Sequence, residues 1–282
     1  MQIIPSNQSC GADITGIDVG NDLDDQTFKQ IEGALHDHAV ICLRGQRLND
    51  AQQVAFTKLF GEAGANAFSS YGGHTAHPEI LIVSNVQQDG KNIGNPNAGL
   101  FWHTDQSYAE KPHRATLLYA VEVPTKDGHP LGDTLFANSA AAYDALSEDM
   151  KHRIEGLKAI HRMSARIRER AEARVNTESK SRFPDVAHPI ARTHPFTKRK
   201  SLYVTVGECI GIKGMADDEA LALIEELFNH IIKPEFIYRH QWQVGDLLMW
   251  DNCTVQHQAT KDYGPENRRL LYRTTVKGTV PF

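Results

Sequence analysis

The chain has no excess of positive charge, no long apolar run and no paired cysteine motif. Its formal net charge is −5 over 282 residues, so the chain as a whole has no attraction for polyanions, and nucleic acid is not an expected partner. No stretch approaches the roughly 20 apolar residues of a membrane span. The start, Met1-Gln2-Ile3-Ile4-Pro5, lacks the basic flank and apolar stretch of a signal peptide. The four cysteines, Cys10, Cys42, Cys209 and Cys253, form no CxxC pair, which argues against a structural zinc site and a disulfide framework. Separate thiols and no leader imply a cytoplasmic protein. Asn252-Cys253-Thr254 spells a glycosylation sequon, but has no secretory route to make it meaningful.

What is present suits an ordinary globular chain: 40% hydrophobic and 23% charged residues, with 12 prolines. Chains of this length often form one β-rich unit, so a single domain over residues 1–282 is expected. The first sixty residues read as a strand near Ala12–Val19, a helix from Asp25 to His38, a strand Ala39–Leu43 and a helix from Asp50 to Phe60. Asn49 or Asp50 can cap the second helix, and Phe56, Leu59 and Phe60 are spaced to share a face. From Ile80 onward, short β-rich runs dominate at Ile80–Ser84, Ala115–Val123, Thr134–Ala137, Leu202–Val206, Asp246–Trp250 and Leu270–Val276. Helices are expected at Ala140–Leu157 and at Asp217–Ile232, the latter with Leu221, Leu223, Ile224, Leu227 and Ile231 as its apolar face. The fold class is therefore mainly β, a sandwich or barrel with flanking helices.

Residues 162–200 carry eleven Lys or Arg against four Asp or Glu. That basic segment, with Arg162, Arg166, Arg168 and Arg170, reads as a solvated helix face followed by a polar loop, or alternatively as an insert or lid that steers anions.

The most informative string is Leu100-Phe101-Trp102-His103-Thr104-Asp105-Gln106-Ser107. In extended chain, residues 103 and 105 point the same way, so an imidazole and a carboxylate can share one metal ion. Two histidines and a carboxylate form a facial triad suited to oxygen-activating Fe(II). His257, 257 − 105 = 152 residues beyond Asp105, is the candidate third ligand, since it follows the apolar strand Leu247-Leu248-Met249-Trp250. The remaining twelve of 14 histidines lack a comparable carboxylate context and are expected on the surface or in hydrogen bonds. A second constellation, Arg268-Arg269-Leu270-Leu271-Tyr272-Arg273, places Arg269 and Arg273 on one face of a strand. A buried guanidinium calls for an anion and matches a carboxylate with two parallel hydrogen bonds. That anion is either a ligand or an Asp or Glu of a neighbouring strand.

These motifs resemble the taurine dioxygenase and chlorophenoxyacetate dioxygenase family of iron(II)- and 2-oxoglutarate-dependent oxygenases. The resemblance extends through Gly11-Ala12-Asp13-Ile14-Thr15-Gly16, Val40-Ile41-Cys42-Leu43-Arg44-Gly45-Gln46, Phe60-Gly61-Glu62, Gly132-Asp133-Thr134 and Gly245-Asp246-Leu247-Leu248-Met249-Trp250-Asp251-Asn252. It implies a double-stranded β-helix, a cupin-like jelly roll with helices packed outside it. It further implies that His103, Asp105 and His257 hold Fe(II), that Thr134 and Arg269 bind the distal carboxylate of 2-oxoglutarate, and that Arg273 lies near the acidic end of the prime substrate. The implied reaction consumes O2 and 2-oxoglutarate, releases succinate and CO2, and hydroxylates a small organic anion. Taurine dioxygenases carry Asn directly ahead of the Trp-His-x-Asp motif, whereas Ala98-Gly99-Leu100-Phe101 stands here. That departure implies an aryloxyalkanoate, sulfonate or sulfate ester in place of taurine. A homo-oligomer is the expected assembly. Two other classes remain open: a jelly-roll isomerase or hydrolase using another metal, and a non-catalytic binding protein on the same fold.

Overall fold

Asp24 and Asn49 begin the two N-terminal helices by the same device: each is extended and its side-chain oxygen accepts from a first-turn backbone N–H. Asp24 opens α1 (Asp25–His38). Asn49 opens α2 (Asp50–Leu59), where the Gln52 side chain bonds back to the Asn49 backbone and completes a capping box. Leu59, expected beside Phe56 and Phe60, is instead 48% exposed. The buried stripe of α2 runs through Gln53, Phe56 and Thr57 to Phe60, and Leu59 falls off its edge.

The computed structural model describes residues 1–64, 76–163 and 184–282. Seven strands form the major sheet: β1 (Gln2–Pro5), β2 (Ala12–Thr15), β3 (Val40–Leu43), β4 (Leu81–Ser84), β7 (Ala115–Glu122), β17 (Leu247–Asp251) and β19 (Leu270–Val276). Their order is β1-β2-β3-β17-β7-β19-β4, antiparallel except where β2 runs parallel to β3. A minor sheet of β10 (Thr134–Asn138), β16 (Ile237–His240) and β18 (Val255–Ala259) has the order β16-β10-β18. A third sheet joins β11 (Lys158–His161), β12 (Val186–Pro189) and β15 (Cys209–Ile212) in the order β12-β11-β15. Three two-stranded ribbons complete the described strands: β5 (Gln87–Gln88) with β6 (Lys91–Asn92), β8 (Thr125–Lys126) with β9 (His129–Pro130), and β13 (Ala191–Thr193) with β14 (Lys200–Leu202).

Alternation along the central strands divides the core into layers. Leu117, Leu247, Met249 and Val276 face outward and pack with Ile31, Leu35, Phe56 and Phe60 of the α1–α2 region. Leu118, Leu248, Trp250 and Leu271 face inward and meet Phe136, Tyr238 and Trp242 from the minor-sheet side. Two facing sheets around one apolar interior are the jelly-roll arrangement expected from the sequence resemblance. The site lies at one end of this interior.

Several boundaries differ from expectation. The single helix at Ala140–Leu157 is two, α3 (Ser139–Asp144) and α4 (Glu148–Ile154), because Ser147 caps a new start by accepting from Met150 N. The strand expected at Leu202–Val206 ends at Leu202. Beyond it Thr205 gives its hydroxyl to the Trp102 carbonyl and its backbone N–H to Cys209 Sγ. In α5 (Asp217–Ile231), Leu223, Ile224, Leu227 and Ile231 are buried as expected, while Leu221 is 47% exposed.

Arg166, Arg168 and Arg170 of the basic segment lie outside the described residues, and the lid reading lies there with them. At its described ends, Arg162 pairs with Asp185, Arg199 pairs with Asp144, and Arg192 is buried against the Tyr203 ring. All four cysteines are free and buried. Among the described residues, no helix is long and apolar enough to cross a membrane.

Candidate metal and co-substrate site

His103 is held in extended backbone by a short bridge to β18, in which His103 and His257 exchange both backbone hydrogen bonds. The chain then turns at Asp105, and Gln106 takes a left-handed φ of 57°. The extended run expected for the motif is thus confined to His103, and Asp105 reaches the same place from a turn. His257 stands on β18 opposite Phe136 of β10, with Trp250 packed on its ring.

These elements bring the three candidate ligands together. His103 Nε2 lies 3.9 Å from Asp105 Oδ1, and His257 Nε2 lies 4.0 Å from Asp105 Oδ2. Metal–ligand distances of about 2.0–2.2 Å put adjacent donors about 3 Å apart, so closure on an ion requires roughly 1 Å of side-chain adjustment. The protonation states suit a cation. His103 Nδ1 sits 2.7 Å from the Phe101 carbonyl, which only accepts, so Nδ1 carries the proton and Nε2 keeps its lone pair. Burial pushes both imidazoles down, His257 to about 3, so both are neutral near pH 7. Burial would raise Asp105, but Arg273, the two histidines and the Thr116 hydroxyl outweigh it and hold the carboxyl well below its ordinary range. Two neutral imidazoles and one carboxylate, each largely buried, fit a divalent metal with borderline-to-hard preferences.

Arg269 lies on a separate flank. It is 4% exposed, and among the described residues it has no ion pair with a carboxylate. Its guanidinium lies about 6 Å from the Trp242 and Tyr263 ring centres and reaches the Gly132 carbonyl at 3.4 Å. Burial lowers its pKa, opposed by Tyr263 and Asp262. Thr134 is next door through Trp242, whose indole N–H donates to Thr134 Oγ1 at 3.1 Å. Gly132 makes room for the arginine: at its φ of +75°, a Cβ would stand 2.9 Å from the Tyr263 ring and 3.1 Å from Arg269 Nε. Neighbouring Arg268 is exposed and points elsewhere, paired with half-buried Glu122 by two hydrogen bonds of 2.7 and 2.8 Å.

Arg273 is a third element. The sequence left open an internal carboxylate partner, and one is present: Arg273 Nη1 donates to Asp105 Oδ1 at 3.1 Å. Leu100 and Phe101 are half-buried at the approach, and the Phe101 ring lies 5.1 Å from His103.

Sequence reasoning missed Thr116, Trp242 and Tyr263, which touch the candidate site residues; none has a distinctive spacing, and only the fold places them. Two histidines expected to lack a carboxylate neighbour have one. His240 lies 3.3 Å from Asp246 and His194 lies 2.6 Å from Asp251, both pairs buried, with Cys42 and Cys253 nearby. Neither group is arranged for a metal. Arg44 already occupies Asp246 at 2.6 Å. His194 Nδ1 accepts two backbone N–H groups, which commits Nε2–H to Asp251. Hydrogen-bonded roles, the expectation for these histidines, therefore hold. Asn252, in the apparent sequon, is 1% exposed and closed to glycosylation.

Comparison with known proteins bears on the family and the fold. The chain is 33% identical to an alpha-ketoglutarate-dependent 2,4-dichlorophenoxyacetate dioxygenase of Cupriavidus pinatubonensis, over 96% of each chain. It is 32% identical to an alpha-ketoglutarate-dependent sulfate ester dioxygenase of Pseudomonas putida, over 100% of this chain and 91% of that one. Its fold superposes on the crystal structure of AAD-2 in complex with Mn(II) and N-oxalylglycine with a TM-score of 0.81 and 30% identity, covering 100% of this chain and 99% of that one. A model of the taurine catabolism dioxygenase TauD, TfdA family matches residues 2–275, and the chain belongs to that family.

Proposed function

We propose that His103, Asp105 and His257 hold Fe(II), that Arg269 and Thr134 bind the distal carboxylate of 2-oxoglutarate, and that Arg273 receives the acidic end of a small organic substrate. Membership of the family makes the chain an iron(II)- and 2-oxoglutarate-dependent dioxygenase, an oxidoreductase. The observation that carries the residue assignment is Arg269, a buried cation without a carboxylate partner among the described residues, set to one side of a buried two-histidine, one-carboxylate cluster. Burying such a charge is costly unless an anion meets it. A dicarboxylate held at the metal by its keto-acid end would supply that anion from its far end. An isomerase or hydrolase on the same fold would leave Arg269 uncompensated.

With iron and co-substrate bound, O2 and 2-oxoglutarate supply the oxidising power, giving succinate, CO2 and one hydroxyl group on the substrate. The chain's own contribution is placement. His103 and His257 present neutral nitrogens, Asp105 presents a charged oxygen, and the apolar interior behind them, Phe136, Trp250 and Leu271, excludes water. Among the described residues, Arg273 gives a single N–H to Asp105, and its buried Nε has no partner. Donors of its five-N–H fork thus remain for an incoming anion.

The half-buried Leu100 and Phe101 favour a substrate with an apolar body and an acidic end, of the aryloxyalkanoate, sulfonate or sulfate ester type. Where the hydroxylated carbon carries an aryloxy or sulfate oxygen, the product is a hemiacetal-like species that collapses to a carbonyl compound and releases the phenol or sulfate. Four buried free thiols suit a reducing compartment, so a cytoplasmic location belongs to this reading.

The test is anaerobic binding of Fe(II) and 2-oxoglutarate, followed by exposure of a panel of aryloxyalkanoates, alkyl sulfonates and alkyl sulfates to O2. Succinate should form in a substrate-dependent and iron-dependent way, and His103→Ala, Asp105→Ala and His257→Ala should each abolish it. Wild-type succinate formation in any of the three variants would remove that residue from the ligand set.

A further inference from the structure

We infer that Thr116, held by Asn252 and Trp250, is a positioning residue that fixes the Asp105 carboxylate, so that strand β17 and the residues just after it brace two of the three metal ligands together. The inference rests on the reading of His103, Asp105 and His257 as the iron site. Asp105 sits on a turn, so no strand ladder fixes the direction of its side chain. What fixes it is a fully buried hydroxyl: Thr116, 0% exposed on β7, donates to Asp105 Oδ2 at 2.6 Å.

The direction of that bond is unambiguous. Asn252 Nδ2, a donor only, lies 3.0 Å from Thr116 Oγ1, so it fills a lone pair of the hydroxyl and leaves its single hydrogen for Asp105. The Asn252 amide is in turn oriented by the Trp250 indole N–H, also a donor only, which reaches Asn252 Oδ1 at 3.1 Å. Hydrogen bonding therefore runs one way, from Trp250 to Asn252 to Thr116 to Asp105, through residues at most 5% exposed. In such a dry setting, hydrogen bonds in series strengthen one another, and a broken link leaves its neighbours unsatisfied.

Trp250 has a second contact: its ring lies 4.7 Å from the His257 ring, at 54°. Trp250 and Thr116 are register partners on adjacent strands, so both contacts descend from one rung of the major sheet. Arg273 holds the other carboxylate oxygen. The carboxylate is thus gripped from both sides, in one case by a neutral relay that places it and in the other by a cation that competes with the metal for it.

Three variants separate positioning from mere burial. Thr116→Val keeps shape and removes the donor, Thr116→Ser keeps the donor, and Trp250→Phe keeps ring packing on His257 while removing the indole N–H. Anaerobic calorimetry with Mn(II), 2-oxoglutarate affinity, and the ratio of hydroxylated product to succinate are measured for each, beside wild type and Asp105→Ala. Partners one step removed from a metal ligand typically affect affinity or activity by roughly 10–100-fold. Thr116→Val should weaken Mn(II) by about that factor and lower the product-to-succinate ratio. Trp250→Phe should do so by a smaller factor, and Thr116→Ser should stay within about threefold of wild type. If Thr116→Val and Trp250→Phe both bind Mn(II) like wild type and remain fully coupled, the positioning role is refuted. If wild type itself binds no Mn(II), or Asp105→Ala binds it equally well, the metal-site reading fails first.

Discussion

Replacement of Arg269 by Ala should all but remove 2-oxoglutarate binding while leaving the empty protein as stable as before, or more so. The two halves of this expectation come from the same fact. The guanidinium is buried, burial lowers its pKa, and among the described residues it has no ion pair; it reaches the Gly132 carbonyl at 3.4 Å, hydrogen-bonds the Tyr263 side chain and lies beside the Trp242 ring. Without ligand it bears a desolvation cost that Tyr263 and Asp262 offset only in part, so its removal costs the empty fold little beyond lost packing. With 2-oxoglutarate bound, its loss strands a buried carboxylate, at about 3–5 kcal/mol, or roughly two to four decades in affinity. Anaerobic calorimetry measures the second quantity and thermal melting the first. For wild type, 2-oxoglutarate at about 100 times its Kd adds about 2.7 kcal/mol, or about 5 °C or more in a chain of this size. The variant should show no such rise at the same concentration. Arg269→Lys should fall between, since it keeps the charge and loses the planar fork. Wild-type affinity in the Ala variant, or a large drop in the ligand-free melting temperature, would mean that Arg269 serves an internal structural partner.

Other variants probe the flanks. Arg273→Gln should erode the preference for an acidic substrate over its neutral amide while scarcely changing 2-oxoglutarate affinity; a lower melting temperature with unchanged preference would show that pairing with Asp105 is its whole role. Gly132→Ala forces a left-handed residue, at about 1–2 kcal/mol, and drives a methyl toward Arg269. It should therefore weaken 2-oxoglutarate more than it weakens Mn(II), and equal losses in both titrations would contradict the argument. Burial holds Glu208 up at about 7, with the Asp105 charge adding to it and the Ser107 hydroxyl opposing. Between the ordinary carboxyl range near 4.3 and that value, the folded chain keeps a proton that the unfolded chain releases, so this group's contribution to stability falls as pH rises through the window. Melting curves from about pH 4.5 to 7.5 should thus slope less steeply downward in Glu208→Gln than in wild type, and parallel slopes would remove Glu208 as the cause.

Legibility differed by element for physical reasons. Helix α1 has its expected bounds because Asp24 caps it and its apolar period is regular. The central strand Leu247–Asp251 is apolar on both faces, as a strand buried between layers must be, and so it stands out in the sequence. The strand that carries His257 did not: Val255-Gln256-His257-Gln258-Ala259 reads as polar because its side chains serve hydrogen bonds, Gln256 to the Val204 carbonyl and Gln258 to that of Leu100. The division of the 140–157 helix had a signal in Ser147-Glu148-Asp149, a cap followed by acids, which the apolar pattern around it masked. In the site, His103, Asp105 and His257 could be named because metal ligands come from few residue types. Thr116, Asn252 and Trp250 could not be given roles, since hydroxyl, amide and indole groups are common and only register brings these three together.

The pairing order of the major sheet also governs how the site comes into being. Strand β17 lies between β3 and β7, so Trp250 pairs with Val40 across 250 − 40 = 210 residues, while His103 and His257 meet across 257 − 103 = 154. Contacts of that span contribute only after long loops have closed, which slows folding. During synthesis, β3 can pair with β2 on one edge, but its β17 edge stays open, and the apolar strand Ala115–Glu122 and the His103 motif wait unpaired until their downstream partners leave the ribosome. The metal site therefore cannot close before the strand that carries His257 has emerged.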